Sequence, residues 1–252
     1  MFLHAPAAMK PSVVLANTPT STPRNRLLAA LPPEDLAWLW PRLESVELPM
    51  RHTLHRPGDT LGAIHFPEAG CVSLLACLED GEGSEVAAVG REGMLGLPLL
   101  LGSGRTEFEA MVRAPGTALR LAHGALRESL ERLPAFRTLM LRYAWVRHVH
   151  STRMAVCNSR HRIEQRLARA LLMAQDRADD EAFPMTHEFL SMSLGVRRAG
   201  ITVAAGGFQK LGLIRYSAGR IAVTDRAGLK DMTCECYGMI RQAFSHLREP
   251  ID

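Results

Sequence analysis

Residues 185–225, MTHEFLSMSLGVRRAGITVAAGGFQKLGLIRYSAGRIAVTD, constrain the fold more than any other stretch of this chain. Thr186 sits where a helix N-cap is wanted, with a hydroxyl able to satisfy an orphan amide of the first turn. Phe189, Leu190 and Leu194 then recur at helical spacing as one buried stripe. Gly195 supplies the positive φ of a sharp helix-to-helix turn, and Val196 pins that turn to a core. Arg197 and Arg198 open a second helix in which Ile201, Ala205 and Phe208 form the packing face. Thr202, Gly206 and Lys210 fall mainly on the other face, with Gln209 at its end. Leu211, Leu213 and Ile214 lead into a strand ending near Tyr216. Ser217-Ala218-Gly219 make a hairpin tip, and residues 220–224 return as an alternating second strand. Helix, tight turn, helix and hairpin in this order read as a winged helix-turn-helix. That shape puts one helix into the DNA major groove and a hairpin beside it on the phosphates.

Gly200, Gly206 and Gly207 each weaken a helix interior by about 1 kcal/mol relative to alanine. The second helix therefore depends on packing through Ile201, Ala205 and Phe208. Small residues also let its backbone approach DNA or a neighbouring helix closely.

The charge distribution agrees with a nucleic-acid partner. Residues 1–133 carry 12 Lys+Arg against 15 Asp+Glu, whereas residues 134–252 carry 18 against 11. An acidic first part joined to a basic second part suits a sensor joined to a binder of phosphates. No apolar run approaches the ~20 residues of a membrane span, and no secretory signal opens the chain, so the expected compartment is the cytoplasm. The motifs GxSxG, HExxH, GxGxxG and the Walker loop are absent, which argues against an enzyme. His187-Glu188 lies on the first helix of the turn unit and lacks catalytic partners. Cysteines at 71, 77, 157, 234 and 236 form no CxxC pair, and no zinc spacing with histidine is visible; Cys234-Glu-Cys236 is the one suggestive pair. Ordinary buried thiols, with no metal, are the expectation.

Along the chain, residues 1–23 are rich in Pro, Ala, Ser and Thr and read as a disordered tail, with Met1 or Met9 as the start. Residues 24–133 read as an antiparallel jelly-roll-like barrel with flanking helices, one over 26–40 and another over 123–133. Turn signals such as Arg56-Pro-Gly-Asp59 recur between short apolar runs across 46–121. Residues 134–158 form a long helix whose seam is Phe136, Leu139, Met140, Tyr143, Val146, His150, Met154 and Cys157. It serves either as a core helix or as a pairing surface for a second copy, and pairing fits a two-fold regulator better. Asn158-Ser159 breaks that pattern. A further helix over 160–176 carries Arg162, Arg166 and Arg169 on its outer side, within a winged helix-turn-helix domain spanning 159–232. A last helical segment starts after Thr224-Asp225 and ends near Leu247, giving a C-terminal helix in 233–252. The fold class is α+β.

Barrel, long helix and winged helix in this order resemble the Crp/Fnr family of bacterial transcription regulators. The likeness is strongest in Thr186-His-Glu-Phe-Leu, Leu194-Gly-Val-Arg-Arg198, Gly212-Leu-Ile-Arg215 and Gly219-Arg-Ile221, with Arg56-Pro-Gly-Asp59 as the family's early glycine turn. The resemblance implies a homodimer on a double-stranded DNA operator, contact with RNA polymerase, and a small-molecule effector of unidentified chemistry in the barrel. It places Arg198 at the base-reading arginine, where a bidentate contact to guanine is worth about 1–3 kcal/mol. The next position, commonly a carboxylate in the best-known branch, is Ala199, so that branch's operator does not carry over. Thr186, Arg197, Thr202, Gln209 and Lys210 are further candidate contacts, and Tyr216, Ser217 and Arg220 those of the wing.

The effector-pocket candidates are Gly96, Phe108 and Glu109. Family members that bind cyclic AMP hold its phosphate with glycine-glutamate and arginine-serine pairs. Here Phe108 takes the arginine's place between Glu107 and Glu109, and two carboxylates repel a phosphodiester. Cyclic AMP is therefore not expected at the usual site. The family's iron-sulfur branch has N-terminal cysteines, which are missing before Cys71. Haem through His65, His148 or His150 has no support beyond lone histidines. The competing function is a ligand- or partner-binding module whose winged helix contacts protein.

Overall fold

The computed structural model describes residues 22–79 and 83–249. The expected tail 1–23 lies almost wholly outside the described residues. A continuous helix over 26–40 does not form. Instead a 3-10 turn at Leu28–Ala30 precedes α1 (Pro33–Leu39), and a second one follows at Trp40–Arg42. Pro32, Pro33 and Pro41 lack amide donors, so the chain restarts at each.

Strands β1 (Leu43–Leu48), β2 (Thr53–His55), β3 (Ala63–Pro67), β4 (Cys71–Cys77) and β5 (Gly83–Val89) come next. A short α2 (Leu97–Leu100) then leads to β6 (Glu109–Ala114) and β7 (Gly116–Ala122). They form two antiparallel sheets, in the orders β1-β7-β3 and β2-β6-β4-β5. Val46, Leu48, Val72, Val89, Leu95, Ala110, Val112 and Ala118 pack together as a buried apolar cluster of this barrel. Arg56-Pro-Gly-Asp59 is the expected turn, with Gly58 at φ +86 and the Arg56 amide donating to the Asp59 carboxylate at 2.8 Å.

After α3 (His123–Arg132), α4 (Pro134–Arg160) runs for 27 residues. It passes through Asn158-Ser159, the expected break, and ends at His161, whose backbone is extended. The seam read from sequence faces this chain's own core: Phe136, Leu139, Met140, Tyr143, Val146, His150 and Cys157 are all buried. Tyr143 donates its hydroxyl to the Met94 carbonyl at 3.0 Å, tying the helix to the barrel. A different stripe faces outward, and Leu141, Trp145 and Val156 are exposed along it. The helix is apolar on two faces, so periodicity alone could not say which one a partner would meet.

The C-terminal part begins with α5 (Ile163–Gln175) and a short β8 (Ala182–Pro184) that the sequence reading missed. Then follow α6 (His187–Leu194), α7 (Arg198–Lys210), β9 (Ile214–Ser217), β10 (Arg220–Val223), α8 (Arg226–Asp231) and α9 (Cys236–Ser245). The wing is thus three-stranded, in the order β8-β10-β9. Leu167, Leu171, Leu190, Leu194, Ile201, Phe208, Ile221 and Tyr237 form its core, each large side chain worth about 1.5–3 kcal/mol when fully buried.

Two expectations for this part need correction. Arg166 and Arg169 do not lie on an outer face; they are 9% and 2% exposed. Arg166 donates to the Leu194 carbonyl, and Arg169 reaches the Met154 sulfur at 2.8 Å. The last helical segment is also divided, with residues 232–235 separating α8 from α9.

Candidate nucleic-acid interface

The turn between α6 and α7 is built as its residues suggest. The Thr186 hydroxyl accepts from the Phe189 amide at 3.1 Å, capping α6. Gly195 sits at φ +60, where a side chain would be strained. Val196 donates to the Ser191 carbonyl at 3.0 Å and Gly195 to that of Met192, closing a Schellman motif. Arg197 then takes the N-cap position of α7. At Gly200 a Cβ would lie 2.9 Å from Ile163 Cδ1, so its bare backbone lets α7 pack closely on α5.

Ile201, Ala204, Ala205 and Phe208 are buried beneath α7. The opposite face is open. Arg197, Arg198, Ala199, Thr202, Gln209 and Lys210 are exposed. Val203, which the sequence reading passed over, is 75% exposed at the centre of this face. An exposed apolar side chain beside Thr202 and among small residues suits contact with a thymine methyl. Its signal was available: a β-branched residue two places after the buried Ile201, on a helix that leaves no apolar neighbour to cover it. Among the described residues neither Arg197 nor Arg198 forms an ion pair with a carboxylate.

Other candidates have structural tasks. The Thr202 hydroxyl donates to the Arg198 carbonyl at 3.1 Å and lies 3.1 Å from His187 Nδ1. His187 stacks on Tyr216 with ring centroids 4.4 Å apart, locking the wing to α6. Burial, then the Arg198 charge, lowers the His187 pKa. Tyr216 is thus half-buried under a ring, while Ser217 and Arg215 are exposed on the wing. Arg220 donates to the Ala182 carbonyl and lies 3.6 Å from Asp180, which clamps β10 to β8. The wing turns through Ala218 and Gly219, both with positive φ, as a tight two-residue hairpin requires.

The effector candidates are scattered. Gly96 is a turn glycine at the N-cap of α2. The Phe108 carbonyl lies 3.0 Å from His55 Nδ1, and Glu109 accepts from the Thr53 hydroxyl at 2.9 Å. None of the three lines the clefts between barrel and head. Those clefts are bridged by polar contacts. Glu85 accepts from Ser193 at 2.9 Å and Ser73 at 2.5 Å, and it pairs with Arg113 at 3.5 Å. Glu92 pairs with Arg177 at 2.6 Å.

Four metal-binding side chains far apart in sequence also meet. Cys157, His161, Cys234 and Cys236 place one ligand atom each within 4.8 Å of the others. Burial, then the neighbouring sulfurs, pushes the Cys236 thiol up to about 12.

A family profile described as the Crp-like helix-turn-helix domain matches residues 165–232. The chain has the Crp/Fnr regulator fold and carries a Crp-like helix-turn-helix domain. Among solved structures, FixK2 from Bradyrhizobium japonicum is similar, with TM-score 0.68, 14% identity, and coverage of 76% of this chain and 98% of that one. TTHA1359, a Crp/Fnr-family transcriptional regulator from Thermus thermophilus, gives 0.60 at 23% identity over 75% and 97%. The c-di-GMP-responsive regulator CLP of Xanthomonas campestris gives 0.58 at 16% identity over 75% and 98%. No curated protein sequence matches the chain significantly. The matched Crp-like domain contains α6, α7 and the wing hairpin, so the exposed arginines lie within it. No described helix is long and apolar enough to cross a membrane.

Proposed function

We propose that this chain is a sequence-specific DNA-binding transcription regulator that acts as a homodimer. The open, arginine-bearing end of α7 carries the reading. Arg198, Thr202 and Val203 share one exposed face with Arg197 at its tip, over a helix held rigid from beneath. Such a face offers guanine-reading, hydroxyl and thymine-methyl contacts within one major-groove segment. Lys210, Gln209 and the wing's Ser217 and Arg215 supply phosphate contacts.

Pairing runs through the outer stripe of α4, Leu141-Trp145-Thr152-Val156. Leu141, Trp145 and Val156 are large exposed hydrophobics, and none of the four carries a charge. Steps of four and seven along a helix are coiled-coil spacing. A symmetric pair would present two copies of α7 to half-sites about 34 Å apart.

The barrel is a sensor that does not take cyclic AMP at the family's usual site. Phe108 offers no cation there, and Glu109 is already fixed by Thr53. RNA polymerase is the downstream partner.

Genome-wide capture of bound DNA, followed by anisotropy on the recovered motif across a salt series, tests the reading. The expected result is a near-palindromic motif bound at least ~10³-fold more tightly than random DNA. Equal affinity for all sequences, or no binding at low salt, would overturn it. Calorimetry with cyclic AMP should show no tight binding.

A further inference from the structure

We propose that Cys157, His161, Cys234 and Cys236 form a closed zinc site that fastens the DNA-binding head to the end of α4. Cys157 lies in the last turns of that helix and His161 is its C-cap, four residues on. Cys234 and Cys236 come from the break between α8 and α9. The three cysteines pack as a buried cluster of their own. Cys157 Sγ is 3.5 Å from Cys234 Sγ, and Cys236 Sγ is 3.8 Å from His161 Nδ1. A tetrahedron with Zn–S bonds of about 2.3 Å has edges of about 3.8 Å, which these two separations match, and all four ligand atoms lie within 4.8 Å of one another, close enough to share one ion.

The histidine is also prepared. Its Nε2 lies 3.3 Å from the Glu235 carboxylate, which leaves the Nδ1 lone pair facing the sulfurs. A carboxylate behind a ligating histidine fixes the tautomer and raises the ring's basicity. Glu235 is the middle residue of Cys234-Glu-Cys236, so a single short segment supplies two ligands and the group that orients a third. Burial raises the Cys234 thiol, and the Cys236 backbone amide, which hydrogen-bonds its sulfur, works against that rise.

Donor chemistry selects the ion. Three thiolates and one imidazole in a tetrahedron suit zinc, whereas magnesium and calcium need oxygen donors. Binding Zn²⁺ releases three thiol protons to solvent and leaves a site of net charge −1. Arg166, whose Nε is buried without a hydrogen-bond partner among the described residues, is the nearby cation that such a site would favour. All four ligands are supplied by the chain, so no position stays open for catalysis, and the task is structural. The ligands straddle the hinge at His161. Occupancy would hold the head at one angle to α4, and loss of metal would release it.

The test uses the full-length protein purified under reducing conditions. Anaerobic Co²⁺ titration should saturate at one equivalent with sulfur-to-cobalt charge-transfer bands and the intense visible bands of tetrahedral cobalt. Zinc should then bleach them. Glu235→Gln should weaken metal affinity by about 10–100-fold while keeping the spectrum, and Cys236→Ser should lose the charge-transfer intensity of one thiolate. The wild-type titration stands even if Cys236→Ser fails to fold. Pale octahedral cobalt spectra, sub-stoichiometric uptake, or a Cys157–Cys234 disulfide in metal-free protein that reduction does not convert into a metal site would overturn the proposal. Metal uptake is read without DNA, so its outcome is independent of the regulator reading.

Discussion

The Glu92 carboxylate lies 2.6 Å from Arg177 Nε, joining the loop after β5 to the segment after α5. Both side chains are largely buried, at 15% and 9% exposure. Arg177 also donates to the Met173 carbonyl at 2.9 Å, and the Gly90 amide donates to Glu92. Burial opposes ionisation of Glu92, but the Arg177 charge and these hydrogen bonds override it and hold the carboxyl below its ordinary range. This charged pair thus joins the head to the barrel beside the Glu85–Ser193 and Arg91–Asp179 contacts.

Removing one partner leaves the other charge buried and uncompensated. Glu92→Leu or Arg177→Met should each destabilise the chain by about 3–5 kcal/mol, whereas the two together should cost much less than their sum. Urea denaturation of the four proteins measures this cycle. A double variant that loses as much as the two single variants added together would show that the pair is not coupled.

On DNA, the two ends of α7 should behave differently. Arg198→Ala should cost about 1–3 kcal/mol on the preferred operator and relax one base position. Lys210→Ala should weaken all sequences alike and reduce the salt slope by about 1. Anisotropy on a panel of single-base operator variants separates the two. Val203→Ser should act like Arg198→Ala, relaxing a different position.

Trp145, at 64% exposure, stands in the middle of the outer stripe of α4. Trp145→Glu would place two like charges against each other in a symmetric pair. Light scattering should then find monomer where the parent is a dimer, and operator affinity should fall by more than tenfold. A parent that is itself monomeric at micromolar concentration would remove the basis for pairing.

His150 is buried with Arg147 Nη1 3.2 Å from its Nδ1, a geometry in which the arginine donates to a neutral ring. Burial, then the charges of Arg147, Arg177 and Arg169, holds its pKa well below the ordinary value. The unfolded chain therefore binds a proton near pH ~6.5 that the folded chain refuses, and stability falls as pH drops below that point. The slope from this one group approaches about 1.4 kcal/mol per pH unit. His150→Gln should flatten the profile between about pH 5 and 6.5, where carboxylates contribute little. His65, pushed down to about 4 chiefly by burial, acts in the same direction and will leave a residual slope.

Local rules were legible where local chemistry decides the structure. The Thr186 cap, the Gly195 turn, the packing face of α7 and the wing hairpin all follow from short-range residue preferences. Burial of charged groups was not legible. Arg166 and Arg169 were placed outside because their type favours solvent; only the folded chain shows the Leu194 carbonyl and the Met154 sulfur that receive them. The two apolar faces of α4 were likewise inseparable before its neighbours were known. The thiol–imidazole cluster escaped because its members are brought together by the return of the chain after α8, and no spacing rule reaches across that distance.

A Cβ at Gly200 would meet the tip of the Ile163 side chain, so these two residues set how closely their helices lie. Ile163 is the first residue of α5, two residues beyond the end of α4 at His161, and Gly200 is near the arginine-bearing end of α7. A rotation at the start of α5 therefore meets first the turn of α7 that carries Arg198.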